Sequence, residues 1–188
     1  GNPVIAKANS SHPGTTRLHG MLAQEAADAT DMPPGTVQLL YRTSHADGEQ
    51  LVSDPRVGAT GYTGSRSAGL KLKAAADTAG KPIYLELSSV NPVVILPGAL
   101  RERAGAIVEE FTTSCLMGTG QFCTNPGLVL LLNSNESKGF IEAVSKSFAK
   151  IPGGTLLSEG VETSLQENLT TLQSAGATLV TDESAVKG

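Results

Sequence analysis

Hydrophobic and polar positions in the first half of the chain alternate between short apolar runs and longer segments of helical periodicity. Residues 15–29 carry apolar side chains at Leu18, Met21, Leu22 and Ala26, a spacing close to that of one helix face. Short apolar runs bounded by glycine, proline or aspartate are typical of buried strands. The pattern predicts strands at residues 3–8, 36–41, 57–62 and 82–87, with helices at 15–29, 47–53 and 65–79.

The second half of the chain continues this alternation with longer helices. Strands are predicted at residues 92–96, 128–132 and 177–180, and helices at 99–115, 136–148 and 161–174. Short apolar strands joined by crossover helices favour an α/β fold. We expect a parallel Rossmann-like sheet with helices on both faces, followed by the start of a second α/β domain. The pattern changes after residue 88, which predicts domains at residues 1–88 and 89–188.

Composition and charge narrow the possible functions. Of the 188 residues 39% are hydrophobic, enough for a core, but only 4% are aromatic, so the core must be aliphatic. The net charge of −4 without a basic cluster predicts no nucleic-acid partner. Neither a leader segment nor a membrane-spanning segment is expected. Two cysteines without a disulfide framework favour a reducing, cytoplasmic compartment. The three scattered histidines lack metal-ligand spacing, so no metal site is predicted.

One cysteine lies in a segment that favours nucleophilic chemistry. Residues 118–127 read Gly-Thr-Gly-Gln-Phe-Cys-Thr-Asn-Pro-Gly and place Cys123 in a turn of small and polar residues, just before an apolar run. Such a turn exposes the sulfur and directs backbone N–H groups at it, which favours a reactive thiolate. A packing cysteine more often lies inside an apolar run, as Cys115 does. The residues alone leave open a structural role for Cys123.

A second segment joins the end of a predicted strand to the start of a predicted helix. Residues 61–69 read Gly-Tyr-Thr-Gly-Ser-Arg-Ser-Ala-Gly, with Ser65 as the expected N-cap. Unpaired N–H groups and the helix dipole favour an anion such as a phosphate at this position. The segment matches neither the dinucleotide fingerprint nor the P-loop. An ordinary capped turn remains the alternative.

Two charged residues lie near the ends of predicted strands. Glu86 is the only charge in an apolar strand, and a partly desolvated carboxylate there could act as a general base. Lys7 lies near the end of the first strand, where it could hold a ribose hydroxyl or a phosphate. An exposed edge position for Glu86 and a solvated surface position for Lys7 are the alternatives.

Taken in their order along the chain, from Lys7 to Cys123, these segments resemble the NAD(P)-dependent aldehyde dehydrogenase superfamily. The resemblance covers nearly the whole chain. Residues 88–92 and 121–127 are similar to the branch that contains the α-ketoglutaric semialdehyde (2,5-dioxovalerate) dehydrogenases. The motifs that carry it are a strand ending in Lys7, the segment Tyr62-Thr63-Gly64-Ser65 with Gly69, the segment Leu85-Glu86-Leu87, and a Gly-Gln-x-Cys segment ending in Cys123.

The resemblance implies a reaction and a role for each motif. An aldehyde, expected to be a semialdehyde such as 2,5-dioxovalerate, would be oxidised to a carboxylic acid. Cys123 would form a thiohemiacetal and then a thioester, Glu86 would activate the hydrolytic water, and the Cys123 N–H would form part of the oxyanion hole. Residues 1–88 would be part of an NAD(P)-binding domain and residues 89–188 part of a catalytic domain. The implied cofactor-binding residues are Lys7, Ser10, Gly48, Thr63, Gly64, Ser65 and Leu87.

This chain departs from the family pattern in two places and in length. Ser10 stands where NAD-preferring members carry a glutamate that repels a 2′-phosphate, so NADP is predicted to be preferred over NAD. Ser88 and Ser89 stand where many members have two glycines. Family members are much longer, so the chain resembles the centre of such an enzyme. We expect little turnover from it alone, and homo-oligomer formation through exposed apolar surface.

Two other functions remain open from the sequence. The chain could be a nucleotide-binding or assembly module in which Cys123 is chemically idle. It could also be a thiol acyl-transferase or esterase that uses Cys123 and Glu86 without a nucleotide.

Overall fold

Short parallel strands and helices make up residues 1–181, the part of the chain that the computed structural model describes. Apart from the strand expected at residues 177–180, the elements follow the predicted order, and they confirm the α/β fold class. Backbone contacts divide the chain into two units, Gly1–Leu87 and a second unit that begins at Ser88. The assignment of these units to nucleotide binding and catalysis stays a prediction.

The first unit contains four strands and three helices. Strands β1 and β2 form one parallel pair, with Lys7 opposite Leu40. Strands β3 and β4 form a second parallel pair, with Thr63 opposite Glu86. The elements are β1 (Val4–Lys7), α1 (Pro13–Ala29), β2 (Val37–Leu40), α2 (His45–Ser53), β3 (Thr60–Thr63), α3 (Arg66–Thr78) and β4 (Ile83–Glu86).

The second unit pairs two strands and packs two of its helices over a small core. Strands β5 and β6 run parallel, with Ile95 opposite Leu131. The Phe111 and Phe140 rings meet edge to face, with centroids 5.8 Å apart. The elements are β5 (Pro92–Ile95), α4 (Pro97–Leu116), β6 (Leu128–Leu131), α5 (Asn135–Phe148) and α6 (Glu159–Ser174). The buried core residues are Ile95, Leu100, Ile107, Phe140 and Val144.

Serine caps fix where several helices begin. The Ser44 hydroxyl accepts from the Asp47 N–H, and the Asp47 carboxylate accepts from the Ser44 N–H, which makes a full capping box. Helix α2 therefore begins at His45, two residues earlier than the apolar pattern indicates. Ser65 caps α3 as expected, and Ser134 and Ser158 cap α5 and α6.

The sheet differs from the continuous one expected for the first unit. Among the described residues the strands form separate two-stranded pairs, and no ladder joins β1 and β2 to β3 and β4. Large apolar residues on these strands remain exposed, with exposed fractions of 55% for Val4, 40% for Ile5 and 71% for Tyr84. Residues 1–181 supply neither the further strands that would join the pairs nor the covering that such apolar side chains require.

The predicted strand at residues 177–180 is wrong. Helix α6 ends at Ser174 and is followed by Gly176 at φ +98°, a left-handed conformation that favours glycine. The Ala177 N–H donates to Leu172 O at 3.0 Å. This hydrogen bond caps the C-terminal end of the helix and does not belong to a strand ladder. Residues 177–180 pair with no strand of the described chain.

Strand β3 begins at Thr60 and not at residue 57 as predicted. The Val57 N–H donates to Asp54 O, so that Val57 belongs to a turn and not to the strand.

The core of the second unit predicts a sharp contrast between two neighbouring residues of α5. Phe140 is 4% exposed, whereas Ile141 is 41% exposed. Phe140→Ala should lower the free energy of unfolding by about 3–5 kcal/mol because it leaves a cavity against Phe111. Ile141→Ala should cost less than about 1 kcal/mol. Urea unfolding followed by circular dichroism measures both, and equal losses would contradict this assignment of the core.

Candidate active site

Cys123 lies in a turn that reverses the chain after α4. Three successive residues, Gly118, Thr119 and Gly120, have φ of +60°, +59° and +72°. A left-handed backbone is uncommon at a β-branched residue such as Thr119, and such outliers gather at functional sites. The chain then runs through an exposed Cys123 into β6. The expected exposed cysteine in a tight turn is therefore present.

The cysteine turn, residues 118–127, is anchored to the segment that precedes β5. The Cys123 carbonyl oxygen accepts from Asn91 Nδ2 at 2.7 Å and from Ser89 Oγ at 2.7 Å. Asn91 Nδ2 also donates to Asn125 O at 3.0 Å. The Gly127 N–H donates to Val90 O at 2.8 Å, and a Cβ at Gly127 would come within 2.5 Å of that oxygen. Only glycine therefore fits at the end of the turn.

Two more amide side chains connect the turn to its surroundings. Asn125 Nδ2 donates to Cys115 O at 2.7 Å and so occupies a carbonyl in the last turn of α4. Gln121 Oε1 accepts from the Leu157 N–H at 2.8 Å, and Gln121 Nε2 donates to Thr155 O at 3.3 Å. The loop after α5 is thereby held against the cysteine turn.

The backbone around the sulfur keeps donors available. Within residues 1–181 neither the Cys123 N–H nor the Thr124 N–H donates to a protein acceptor. Unpaired N–H groups beside an exposed thiol can stabilise a thiolate or an oxyanion that forms on an adjacent carbon. The turn therefore has the chemical features of a nucleophile site.

The two cysteines differ in their surroundings. Cys115 is partly buried at the end of α4, and burial raises the pKa of its thiol. Cys123 is exposed, and neither cysteine forms a disulfide. A buried cysteine with a raised pKa is typically inert. Cys123 is therefore the better candidate nucleophile of the two.

In the first unit the structure brings Lys7 and Ser10 together. At the end of β1, Lys7 Nζ donates to Ser10 Oγ at 3.4 Å, and both side chains are exposed. Gly48 lies in α2, and a Cβ there would meet no atom within 4 Å. The space beside Gly48 is open to a ligand, although other residues would also fit there.

The remaining predicted residues of this unit gather where β3 and β4 end. Ser65 Oγ accepts from the Ala68 N–H at 3.4 Å, and the Gly64 N–H donates to Glu86 O at 3.0 Å. A Cβ at Gly69 would clash with the Leu87 side chain, so glycine lets Leu87 pack on α3. Thr63 lies opposite Glu86 in the ladder. The β3–α3 turn and the Leu-Glu-Leu segment thus form one cluster.

Of the two environments that the sequence left open for Glu86, the structure has the exposed one. Glu86 lies exposed at the end of β4 and is not a partly desolvated carboxylate. Side chains alternate along the strand, and the burial pattern places Ile83 and Leu85 on the more buried face and Glu86 on the other. Glu86 belongs to the first unit and Cys123 to the second.

Sequence reasoning missed the amide side chains that hold the turn. Asn91, Gln121 and Asn125 lie within or near quoted motifs, but nothing in their spacing shows which carbonyls they reach. A positive φ at Asn91, +47°, was also not expected. The residue type is the one signal that was available, because asparagine tolerates the left-handed region.

The described residues offer neither a metal-binding cluster nor a membrane-spanning helix. Residues 1–181 contain no cluster of three or more histidine, cysteine, aspartate or glutamate side chains able to hold a metal ion. In the same residues no helix combines the length and the apolar character needed to cross a bilayer.

An α/β fold of parallel strands with an exposed cysteine in a glycine-rich turn defines a class of candidate thiol enzymes. Comparison with protein families narrows this class. Residues 1–182 match the family described as Aldehyde dehydrogenase family, and the chain belongs to that family. The resemblance inferred from the four motifs is thus confirmed.

The most informative relatives are semialdehyde dehydrogenases. Alpha-ketoglutaric semialdehyde dehydrogenase 2 of Azospirillum brasilense is 43% identical over 163 residues, which cover 86% of this chain and 31% of that protein. Alpha-ketoglutaric semialdehyde dehydrogenase of Acinetobacter baylyi is 32% identical over 92% of this chain and 33% of that protein. The chain spans about a third of the length of the curated relatives it matches.

Solved structures agree on the fold. A succinic semialdehyde dehydrogenase from Streptococcus pyogenes, in complex with NADP⁺, superposes with a TM-score of 0.82 at 23% identity, over 99% of this chain and 41% of that one. A salicylaldehyde dehydrogenase from Pseudomonas putida G7, complexed with salicylaldehyde, gives 0.82 at 19% identity, over 94% of this chain and 38% of that one.

The raised pKa of the Cys115 thiol predicts a pH dependence. Because burial favours the neutral thiol, Cys115 should reach half-maximal alkylation only at a pH above that of an ordinary cysteine, about 8.5. The measurement is the iodoacetamide rate of the Cys123→Ser variant across the alkaline range. A urea-unfolded sample of the same variant is the control. If the pH of half-maximal alkylation in the folded variant were at or below that in the unfolded variant, the burial of Cys115 would be contradicted.

Proposed function

We propose that this chain carries the central part of an NAD(P)-dependent aldehyde dehydrogenase that oxidises an aldehyde to a carboxylic acid. The observation that carries the proposal is the cysteine turn, in which an exposed Cys123 lies beside two backbone N–H groups without acceptors in residues 1–181. Membership of the family supports the same chemistry. The whole enzyme's activity belongs to this proposal, because the chain spans about a third of its relatives.

The reaction starts at the sulfur of Cys123. Its thiolate adds to the aldehyde carbon, and the carbonyl electron pair moves to oxygen. The Cys123 N–H donates to the oxyanion that develops, as an oxyanion hole requires. Loss of hydride from the thiohemiacetal carbon then leaves a thioester on Cys123. Glu86 takes a proton from water, which attacks the thioester, expels the thiolate and releases the acid.

A nicotinamide dinucleotide supplies the hydride acceptor, and residues of the first unit fit such a group. Ser65 caps α3, whose N-terminal N–H groups favour the pyrophosphate, with Thr63 and Gly64 at the preceding strand end. Lys7 and Ser10 are 3.4 Å apart and offer an ammonium and a hydroxyl to a ribose or its phosphate.

Leu87 and Gly48 complete this proposed cofactor site. Leu87 packs on α3 at Gly69, and the space beside Gly48 in α2 is open to an adenine.

The proposed substrate is a semialdehyde such as 2,5-dioxovalerate. Support comes from the relatives named as α-ketoglutaric semialdehyde dehydrogenases, the first of which is 43% identical. The proposed cofactor preference is NADP over NAD, because the Ser10 hydroxyl can donate to a 2′-phosphate whereas a carboxylate would repel it.

The preference can be tested by calorimetric titration of the chain with NADP⁺ and NAD⁺. We expect saturable binding of both, tighter for NADP⁺. Ser10→Glu should weaken NADP⁺ binding by about tenfold, the effect of about 1.4 kcal/mol of like-charge repulsion. Ser11→Glu adds the same charge one residue away, at another exposed position, and should leave the preference unchanged.

Three results would count against the proposal. Tighter binding of NAD⁺ by the unmodified chain would overturn the role of Ser10. If Ser10→Glu and Ser11→Glu weakened NADP⁺ binding equally, the effect would come from the added negative charge in general and not from position 10. Failure of both nucleotides to bind would remove the cofactor site from this chain.

A further inference from the structure

We propose that Asn91 is a positioning residue for the nucleophile. Its side-chain amide fixes the orientation of the peptide group between Cys123 and Thr124. It thereby fixes the direction of the Thr124 N–H, which has no protein acceptor within residues 1–181. Ser89 assists through the same carbonyl oxygen. The inference rests on the proposed role of Cys123 as the nucleophile. It adds that residues outside the cysteine turn, Asn91 and Ser89, set the orientation of the peptide group next to that nucleophile.

The hydrogen bonds around the Cys123 carbonyl are unusually concentrated. That oxygen accepts from Asn91 Nδ2 and from Ser89 Oγ, each at 2.7 Å. Asn91 Nδ2 also lies 3.0 Å from Ser89 Oγ and 3.0 Å from Asn125 O, so its two hydrogens are shared among three acceptors. Both lone-pair sites of one carbonyl are therefore committed to side chains of the segment before β5.

Fixing this carbonyl fixes the donor on the other side of the same peptide. The described residues contain no cis peptide bond, and in a trans peptide the C=O and the following N–H point in opposite directions. With its carbonyl directed at Asn91 and Ser89, the peptide directs the Thr124 N–H away from them. That N–H has no protein acceptor within residues 1–181. A released carbonyl could rotate, and the N–H would rotate with it.

The backbone of Asn91 favours a role for its side chain. Asn91 is half-buried and has φ +47°, a region that costs energy for a residue with a side chain, although asparagine tolerates it better than most. Glycine would adopt this backbone more easily but would carry no amide. An asparagine here combines the left-handed backbone with a donor that reaches Cys123.

The test compares alkylation of the two cysteines in matched variants. The rate constant of iodoacetamide with each is measured by peptide mass spectrometry, across the neutral to alkaline range, in the unmodified chain and in three variants. Asn91→Gly keeps the backbone conformation and removes the amide. Asn91→Asp keeps the size and replaces the donor by a carboxylate. Ser88→Ala changes an exposed neighbouring hydroxyl that makes no hydrogen bond to the turn in the described chain.

We expect Cys123 to react faster than Cys115 in the unmodified chain. Asn91→Gly should slow Cys123 by about fivefold, within the range of one net hydrogen bond, and Asn91→Asp by at least as much. Cys115, which lies partly buried at the end of α4, should keep its rate and its pH profile in both variants. Ser88→Ala should leave both cysteines unchanged.

The possible failures can be told apart. An unchanged Cys123 rate in Asn91→Gly, with Cys123 still faster than Cys115, would overturn the positioning role and leave the proposed function standing. Acceleration of Cys115 in the same variant would make Asn91 a purely structural residue and would also overturn it. Equal rates for the two cysteines in the unmodified chain would contradict the proposed function itself.

Discussion

The pairing of one carbonyl oxygen, that of Cys123, with the side chains of Ser89 and Asn91 is the constraint on which the cysteine turn depends. The turn has little apolar packing to hold it, since Phe122 beside the cysteine is 52% exposed. Its conformation therefore rests on directed hydrogen bonds, which fix angles as well as distances. Gln121 and Asn125 extend the same arrangement to the loop after α5 and to the end of α4.

This hydrogen-bonded turn is part of a chain whose apolar side chains are poorly covered in residues 1–181. The buried hydrophobic residues are few, and large side chains such as Val4, Tyr84 and Val94 are exposed on the strands. Parallel sheets are normally covered on both faces, because their strands are apolar on both. The chain spans about a third of the length of its relatives. The local order of the cysteine turn therefore does not depend on a large core, because its hydrogen bonds come from side chains and backbone groups between residues 89 and 157.

The sequence could predict what local interactions decide. Apolar periodicity, with the expected cap at Ser65, located the helices, and the small and polar residues around Cys123 indicated an exposed turn. It could not predict contacts between residues distant along the chain. The bond from Asn91 to Cys123 O joins positions 32 residues apart, and no periodicity encodes it. The strand expected at residues 177–180 failed for the same reason, since a strand needs a partner and that segment has none in the described chain.

The central claim is that the sulfur of Cys123 adds to an aldehyde carbon. The most direct measurement is ¹³C NMR of the chain with a semialdehyde labelled at its aldehyde carbon, without nucleotide, so that the reaction stops at the thiohemiacetal. We expect a thiohemiacetal resonance that persists in Cys115→Ser and disappears in Cys123→Ser. A resonance that follows Cys115 instead, or none in the unmodified chain, would contradict it.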